Sequence, residues 1–149
     1  MDLSGKHALI IGGSSGIGLA TIRKLASHGA NIVAIHRDRR QGLAELEAEL
    51  DKLRSSFNVE ISNFNIDATN PEKVSECFQE LKAKSSTFDL VLHALSRGNL
   101  KPFISDGPKL NMQDLNLTIE AMGTNLKVWI DGLLEHELIG QGSKILTLT

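Results

Sequence analysis

Tyrosine is absent from these 149 residues, and cysteine and tryptophan occur once each. Without tyrosine the chain has no phenol that can serve as a proton donor. The single cysteine, Cys77, excludes an internal disulfide and any CxxC metal or redox site, and is expected to pack as a small apolar side chain. No apolar run approaches the roughly 20 residues that a membrane helix needs. Neither sign of charge dominates: 16 basic against 18 acidic residues argue against a general binder of nucleic acid or of membranes, and favour small-molecule partners. The opening Met1-Asp2-Leu3-Ser4-Gly5-Lys6 leads almost at once into a strand pattern, unlike a signal or transit peptide, so a cytoplasmic location is expected. At 41% hydrophobic, residues 1–149 are expected to form one domain with its own core.

The most informative stretch that is present runs Leu9-Ile10-Ile11-Gly12-Gly13-Ser14-Ser15-Gly16-Ile17-Gly18-Leu19-Ala20. An apolar strand enters three spaced glycines and then an amphipathic helix. Gly12 can turn sharply out of the strand, while Gly16 and Gly18 let a pyrophosphate approach the backbone and let the helix pack closely on the sheet. The backbone of Ser14, Ser15, Gly16, Ile17 and Gly18 then faces the anion, favoured by unpaired N–H groups and the positive end of the helix dipole. Such turns also serve merely to connect a strand to a helix.

Strand and helix patterns alternate along the chain, which argues for parallel βαβ units. Strands are expected near 6–12, 31–36, 58–65, 88–95 and 143–149. The first helix is expected from Gly16 to His28, stopped by Gly29. The second, near 39–55, carries Leu43, Leu46, Leu50 and Leu53 on one stripe. The third opens on Asn70-Pro71, a capping residue before a proline suited to the first helical position, and buries Val74, Cys77, Phe78 and Leu81. Leu95 to Asn111 reads as irregular, broken by Gly98, Pro102, Gly107 and Pro108. A helix over 112–138 follows. Right-handed crossovers then give an α/β fold, a doubly wound, Rossmann-like parallel sheet ordered 3-2-1-4-5, with its ligand crevice above the carboxyl ends of strands one and four.

The spacing Gly-x-x-x-Gly-x-Gly, ending in Ser-Gly-Ile-Gly, resembles the short-chain dehydrogenase/reductase family, and the resemblance extends along the whole chain. Ile11 departs from it, standing where the family usually has Thr and so removing a hydroxyl that helps hold the turn. The resemblance implies a nicotinamide cofactor. NAD-preferring members place a carboxylate at the end of the second strand; here that place holds His36, followed by Arg37, with Arg39 and Arg40 nearby, so guanidinium groups are expected to pair a 2′-phosphate. A solvated basic helix start is the plainer reading, but cations at a helix N-terminus oppose its dipole. NADP(H) is therefore favoured, and Asp38 keeps NAD(H) as the alternative. In Asn65-Ile66-Asp67-Ala68, Asp67 is expected to accept from the adenine amino group with the backbone at Ala68 assisting; the competing reading is a turn aspartate.

The fourth strand ends in His93-Ala94-Leu95-Ser96, where most of the family has Asn-Asn-Ala-Gly. With Arg97-Gly98 and Lys101-Pro102-Phe103 it looks like the corresponding segment of the enoyl-acyl-carrier-protein reductase branch. Ala94 is expected against the cofactor and His93 to support the turn beneath it, rather than act as base; no partner cluster favours His93 as a metal ligand. Met122-Gly123-Thr124-Asn125-Leu126 resembles instead the helix in which the conventional branch carries an asparagine that holds a proton-relay water, which makes Asn125 the catalytic candidate. An asparagine within a helix can also merely satisfy a neighbouring carbonyl.

The family's Tyr-x-x-x-Lys pair has no counterpart here and is expected beyond Thr149, the chain being the N-terminal, cofactor-binding part of a longer reductase that acts on an enoyl thioester or a carbonyl. A chain complete at 149 residues, serving as a non-catalytic nucleotide-binding or interaction module, is the alternative. The resemblance also implies a homo-dimer or homo-tetramer. Trp129 and Leu133 are then expected either at a partner subunit or against the sheet.

Overall fold

A computed structural model describes residues 1–84 and 87–148. Five short apolar segments, β1 (His7–Ile11), β2 (Asn31–His36), β3 (Ile61–Asn65), β4 (Leu90–His93) and β5 (Lys144–Thr147), form one parallel sheet in the order β3-β2-β1-β4-β5. This is the expected doubly wound, Rossmann-like α/β fold. Leu9 of β1 pairs with Val33 of β2 and Val91 of β4. Because side chains alternate along a strand, consecutive residues of β1 feed two separate cores.

One core joins Ala8, Ile10 and Ala34 to Ile22 and Ala26 of α1 (Gly16–Ala26) and to Leu46, Leu50 and Leu53 of α2 (Arg40–Phe57). The other joins Leu9, Ile11 and Val33 to Val74, Cys77, Phe78 and Leu81 of α3 (Pro71–Lys84). It also takes in Trp129 and Leu133 of α5 (Asn125–Glu135). Trp129 and Leu133 are thus packed against the sheet, the Trp129 ring standing edge-on to Phe78 with centroids 5.1 Å apart. Burial pushes the Cys77 thiol up to about 12, where it is an inert apolar side chain.

The sequence expectations differ from the structure chiefly at element ends. β3 starts at Ile61 and β4 ends at His93, both shorter than expected, and Thr149 lies outside the described residues. α1 ends at Ala26 because the amides of His28 and Gly29 turn back early onto Leu25 and Ala26. α2 runs on to Phe57, stopped by Asn58 in the left-handed region (φ 52°). Asn70 caps α3 as expected, its side chain accepting from the Lys73 amide at 3.0 Å.

The single helix expected over 112–138 is two: α4 (Met112–Ile119) and α5, joined by a π turn over Glu120–Thr124. There the Asn125 amide reaches back five residues to the Glu120 carbonyl, which also takes the Thr124 hydroxyl, next to the weak helix former Gly123. α4 opens with a capping box in which Asn111 and Asp114 exchange side-chain bonds to each other's backbone amides. Ile145 and Leu146 of β5 are exposed, unlike the apolar residues of the inner strands. Among the described residues no helix is long and apolar enough to cross a membrane, and no group of three or more His, Cys, Asp or Glu is arranged to hold a metal.

Candidate functional site

A cleft of about 520 Å³ opens above the carboxyl ends of β1, β2 and β4. Its floor is the turn between β1 and α1. Both the Gly12 and the Gly13 amides donate to the Ile35 carbonyl, at 2.8 and 2.9 Å, and the Ile11 carbonyl accepts from Ala94 at 2.8 Å. The turn is therefore held by backbone bonds to β2 and β4, while Ile11, where a hydroxyl was expected, lies in the core.

Two close approaches make the glycines obligatory. A Cβ on Gly12 would stand 2.6 Å from the Ala94 carbonyl oxygen, and one on Gly18 would stand 2.0 Å from the Gly12 carbonyl oxygen. Ser15 precedes α1 with extended backbone and makes no side-chain cap, and the first turn carries no acidic residue. The leading amides of α1 thus remain free to meet an anion at the cleft. Free amides, a backbone that would not admit a Cβ and an apolar crevice fit the pyrophosphate of a dinucleotide.

At the other end of the cleft, His36 is buried at the end of β2, its Nε2 3.2 Å from Asn63 Oδ1 and its Nδ1 2.8 Å from Asp38 Oδ2. The Asp38 carboxylate thus lies against the imidazole, although neither Nδ1 nor Oδ2 makes a hydrogen bond among the described residues, and its backbone is fixed by Asn65, which accepts from the Asp38 amide and donates to its carbonyl. Arg37 is exposed and donates to Asp67 Oδ2 at 2.6 Å. Asp67 Oδ1 accepts from the amide and hydroxyl of Thr69, at 3.0 and 2.6 Å. Burial raises the Asp67 pKa, but the Thr69 bonds and the charges of Arg37 and Arg97 outweigh it, so the carboxyl sits below its ordinary value.

Beneath the cleft lies a second cluster. His93 is fully buried with Nε2 3.0 Å from Asn125 Oδ1, while Asn125 Nδ2 donates to the Ala68 carbonyl at 2.8 Å. The Trp129 indole N–H donates to the same carbonyl at 3.0 Å. Since the Asn125 oxygen only accepts, His93 must carry its proton on Nε2. The β4 end, α5 and the loop that carries Asp67 and Ala68 are so locked together.

Of the residues singled out from sequence, the cleft brings together Gly12, Ser14, Ser15, Gly16, Ile17, Gly18, His36, Arg37, Asp67, Ala68 and Ala94. Three do not line it. Arg39 is exposed and caps α2 with extended backbone, and both ends of the buried Asn125 side chain are engaged by His93 and Ala68. His93 lies below the surface, as a support. Sequence reasoning missed Thr69, Ser96, Arg97, Met122 and Leu148 as lining residues. Of these, Ser96, Arg97 and Met122 carried a sequence signal, standing in or beside the motifs after β4 and before Asn125, while Thr69 and Leu148 carried none.

The short chain dehydrogenase family profile matches residues 6–130. The chain is 28% identical over 121 residues to 3-dehydrosphinganine reductase of Arabidopsis thaliana, covering 81% of this chain and 33% of that protein. It is 25% identical over 154 aligned positions to the enoyl-[acyl-carrier-protein] reductase [NADH] of Rickettsia bellii, covering 99% of this chain and 54% of the relative. Among solved structures, L-sorbose reductase from Gluconobacter frateurii, complexed with NADPH and L-sorbose, superposes with a TM-score of 0.74 at 26% identity, over 91% of this chain and 49% of that one. The chain thus spans from a third to about half the length of these relatives.

Proposed function

The chain belongs to the short chain dehydrogenase family, and from that premise we propose that it forms the cofactor-binding part of an NADP(H)-dependent reductase of an enoyl thioester or a carbonyl. The observation that carries the NADP(H) reading is the end of β2. His36 stands there in place of a carboxylate, the next residue is the exposed Arg37, and the one carboxylate that follows, Asp38, lies against His36. A ribose 2′-phosphate would meet a guanidinium instead of a repelling charge. The NADPH-bound relative supports this reading, and the enoyl reductase [NADH] keeps NAD(H) as its competitor.

The bound cofactor would supply the hydride. The chain's own residues would hold it: the α1 amides at the pyrophosphate, Arg37 at the 2′-phosphate, Asp67 at the adenine amino group, and Ala94 along the wall. His93 and Asn125 would fix the floor, Asn125 by positioning the Ala68 carbonyl. The proton donor would come from a Tyr and Lys outside these 149 residues. His93-Ala94-Leu95-Ser96 and the enoyl reductase relative support an enoyl thioester; the Asn125 helix and L-sorbose reductase support a carbonyl. A homo-dimer or homo-tetramer belongs to the same proposal, and its interface would not use the buried Trp129 and Leu133.

Titrating NADPH and NADH into the protein and its Arg37→Ala variant tests the reading. A charge-assisted bond contributes roughly 1.5–3 kcal/mol, so NADPH should bind about tenfold or more weaker to the variant while NADH changes little. Equal losses for the two nucleotides would show that Arg37 does not read the phosphate, and would favour a non-catalytic nucleotide-binding module or an NAD(H) enzyme.

A further inference from the structure

Two guanidinium groups share one carboxylate at the ribose end of the cleft. Arg37, after β2, places Nη1 2.6 Å from Asp67 Oδ2; Arg97, after β4, places Nη1 3.5 Å from the same oxygen and 2.9 Å from Thr69 Oγ1. β4 is separated from β3 in the sheet by β1 and β2, so Arg97 bridges two loops that the strand order keeps apart. The two cations differ in freedom. The Arg37 side chain is 58% exposed and bonds only Asp67 among the described residues, whereas that of Arg97 is 32% exposed and is tied to both Asp67 and Thr69.

This asymmetry matters if Arg37 is to serve an incoming anion. Arg37 gives Asp67 one of its five N–H donors, at 2.6 Å, so a 2′-phosphate would share the guanidinium with a partly buried carboxylate that competes for its charge. Among the described residues, Arg97 is the other cation already placed against Asp67, whose second oxygen is held by Thr69.

We propose that Arg97 is a specificity-determining residue of this cleft: by holding Asp67, it releases Arg37 to bind the ribose 2′-phosphate. The inference rests on the NADP(H) reading above and adds to it a residue that need not touch the phosphate. Asp67 then acts as a competing internal anion, and the 2′-phosphate selectivity depends on how firmly Arg97 occupies it.

The test uses adenosine 2′,5′-bisphosphate and 5′-AMP as probes, which differ only in the 2′-phosphate, and reads the ratio of their dissociation constants by calorimetry. Arg97→Met should lower the preference for the bisphosphate by about tenfold, the size of one charge-assisted bond. Adding Asp67→Asn to Arg97→Met should return the ratio to near the wild-type value, because no carboxylate then retains Arg37; a merely structural role for Arg97 would not be rescued in this way. Arg37→Ala separates the two claims. If it leaves the ratio unchanged, the underlying reading of Arg37 fails, whatever Arg97 does. If Arg37→Ala abolishes the preference but Arg97→Met weakens both probes equally, or changes neither, the release by Arg97 is overturned while the reading of Arg37 stands. Loss of preference in Arg97→Met without rescue by Asp67→Asn would overturn it too, by making Arg97 a direct phosphate ligand.

Discussion

Replacing Gly18 by Ala adds one methyl group at the tightest point of the turn. Its carbon would fall 2.0 Å from the Gly12 carbonyl oxygen, 2.9 Å from the Gly12 carbonyl carbon and 3.2 Å from Gly13 Cα. Ordinary contact needs about 3.5 Å, so helix α1 or the turn must retreat by roughly 1.5 Å. The obstacle is backbone rather than a side chain that can rotate away. The Gly12 and Gly13 amides are both bound to the Ile35 carbonyl, so displacing the turn loosens those two bonds as well. Overpacking typically costs about 1–3 kcal/mol, and a backbone clash belongs at the upper end; the better helix propensity of Ala returns at most about 1 kcal/mol. A net destabilisation of about 2 kcal/mol is expected from urea unfolding followed by circular dichroism. NADPH affinity should fall by more than tenfold, because the amides that would face the pyrophosphate move with the turn. Gly123→Ala is the control: nothing lies within 4 Å of its added Cβ, and it should leave stability unchanged or raise it. A Gly18→Ala protein that is as stable as the parent and binds NADPH normally would refute the reasoning.

The lock beneath the cleft should show in stability. Asn125→Leu strands the buried His93 Nε2–H and removes one donor from the Ala68 carbonyl, costing about 2–3 kcal/mol; Trp129→Phe leaves Asn125 on that carbonyl but loses one hydrogen bond and part of a fully buried ring, and should also cost about 2–3 kcal/mol in the same unfolding assay. In the segment before α4, the Lys101 ammonium, the Asn111 amide and the Asn99 side chain together lower the Asp114 pKa to about 2. A depressed carboxyl pKa stabilises the fold above the unfolded value, so this contribution is complete above about pH 4 and disappears as the pH falls through 2. Asp114→Asn should therefore flatten the acid limb of the stability profile, and an unaltered limb would contradict the assignment. The 149-residue polypeptide, mixed with NADPH and a short enoyl thioester, should show no loss of cofactor absorbance, because a positioned proton donor contributes about 10²–10⁴-fold and no phenol is present. Turnover would point to a donor other than tyrosine.

The sheet order and the glycine turn after β1 are legible because each rests on a local pattern. Apolar runs set the strands, the Gly12–Gly18 spacing sets the turn, and crossover handedness leaves little freedom in the order. The cleft's polar end was harder. Arg37 stands out in the sequence because it follows a strand end, but its pairing with Asp67, 30 residues away, depends on β2 and β3 lying side by side. Arg97 and Thr69 meet only because the loops after β4 and β3 converge, and no spacing rule encodes that meeting. Asn125 illustrates a different limit: the sequence sets it inside one long helix, whereas the π turn before it and the imidazole of His93 decide that its side chain points into the protein and not the cleft. The burial of Trp129 and Leu133 likewise follows from where α5 lies on the sheet, whereas amphipathic spacing alone leaves two faces open to choice.

The central claim is that this cleft is built for a dinucleotide carrying a 2′-phosphate. The most direct measurement is a calorimetric titration of NADPH and of NADH into the unaltered protein at matched ionic strength. The account predicts that both bind at one site per chain, with NADPH the tighter by about tenfold or more, in line with one charge-assisted bond to Arg37. Failure of both to bind, or tighter binding of NADH, would contradict it.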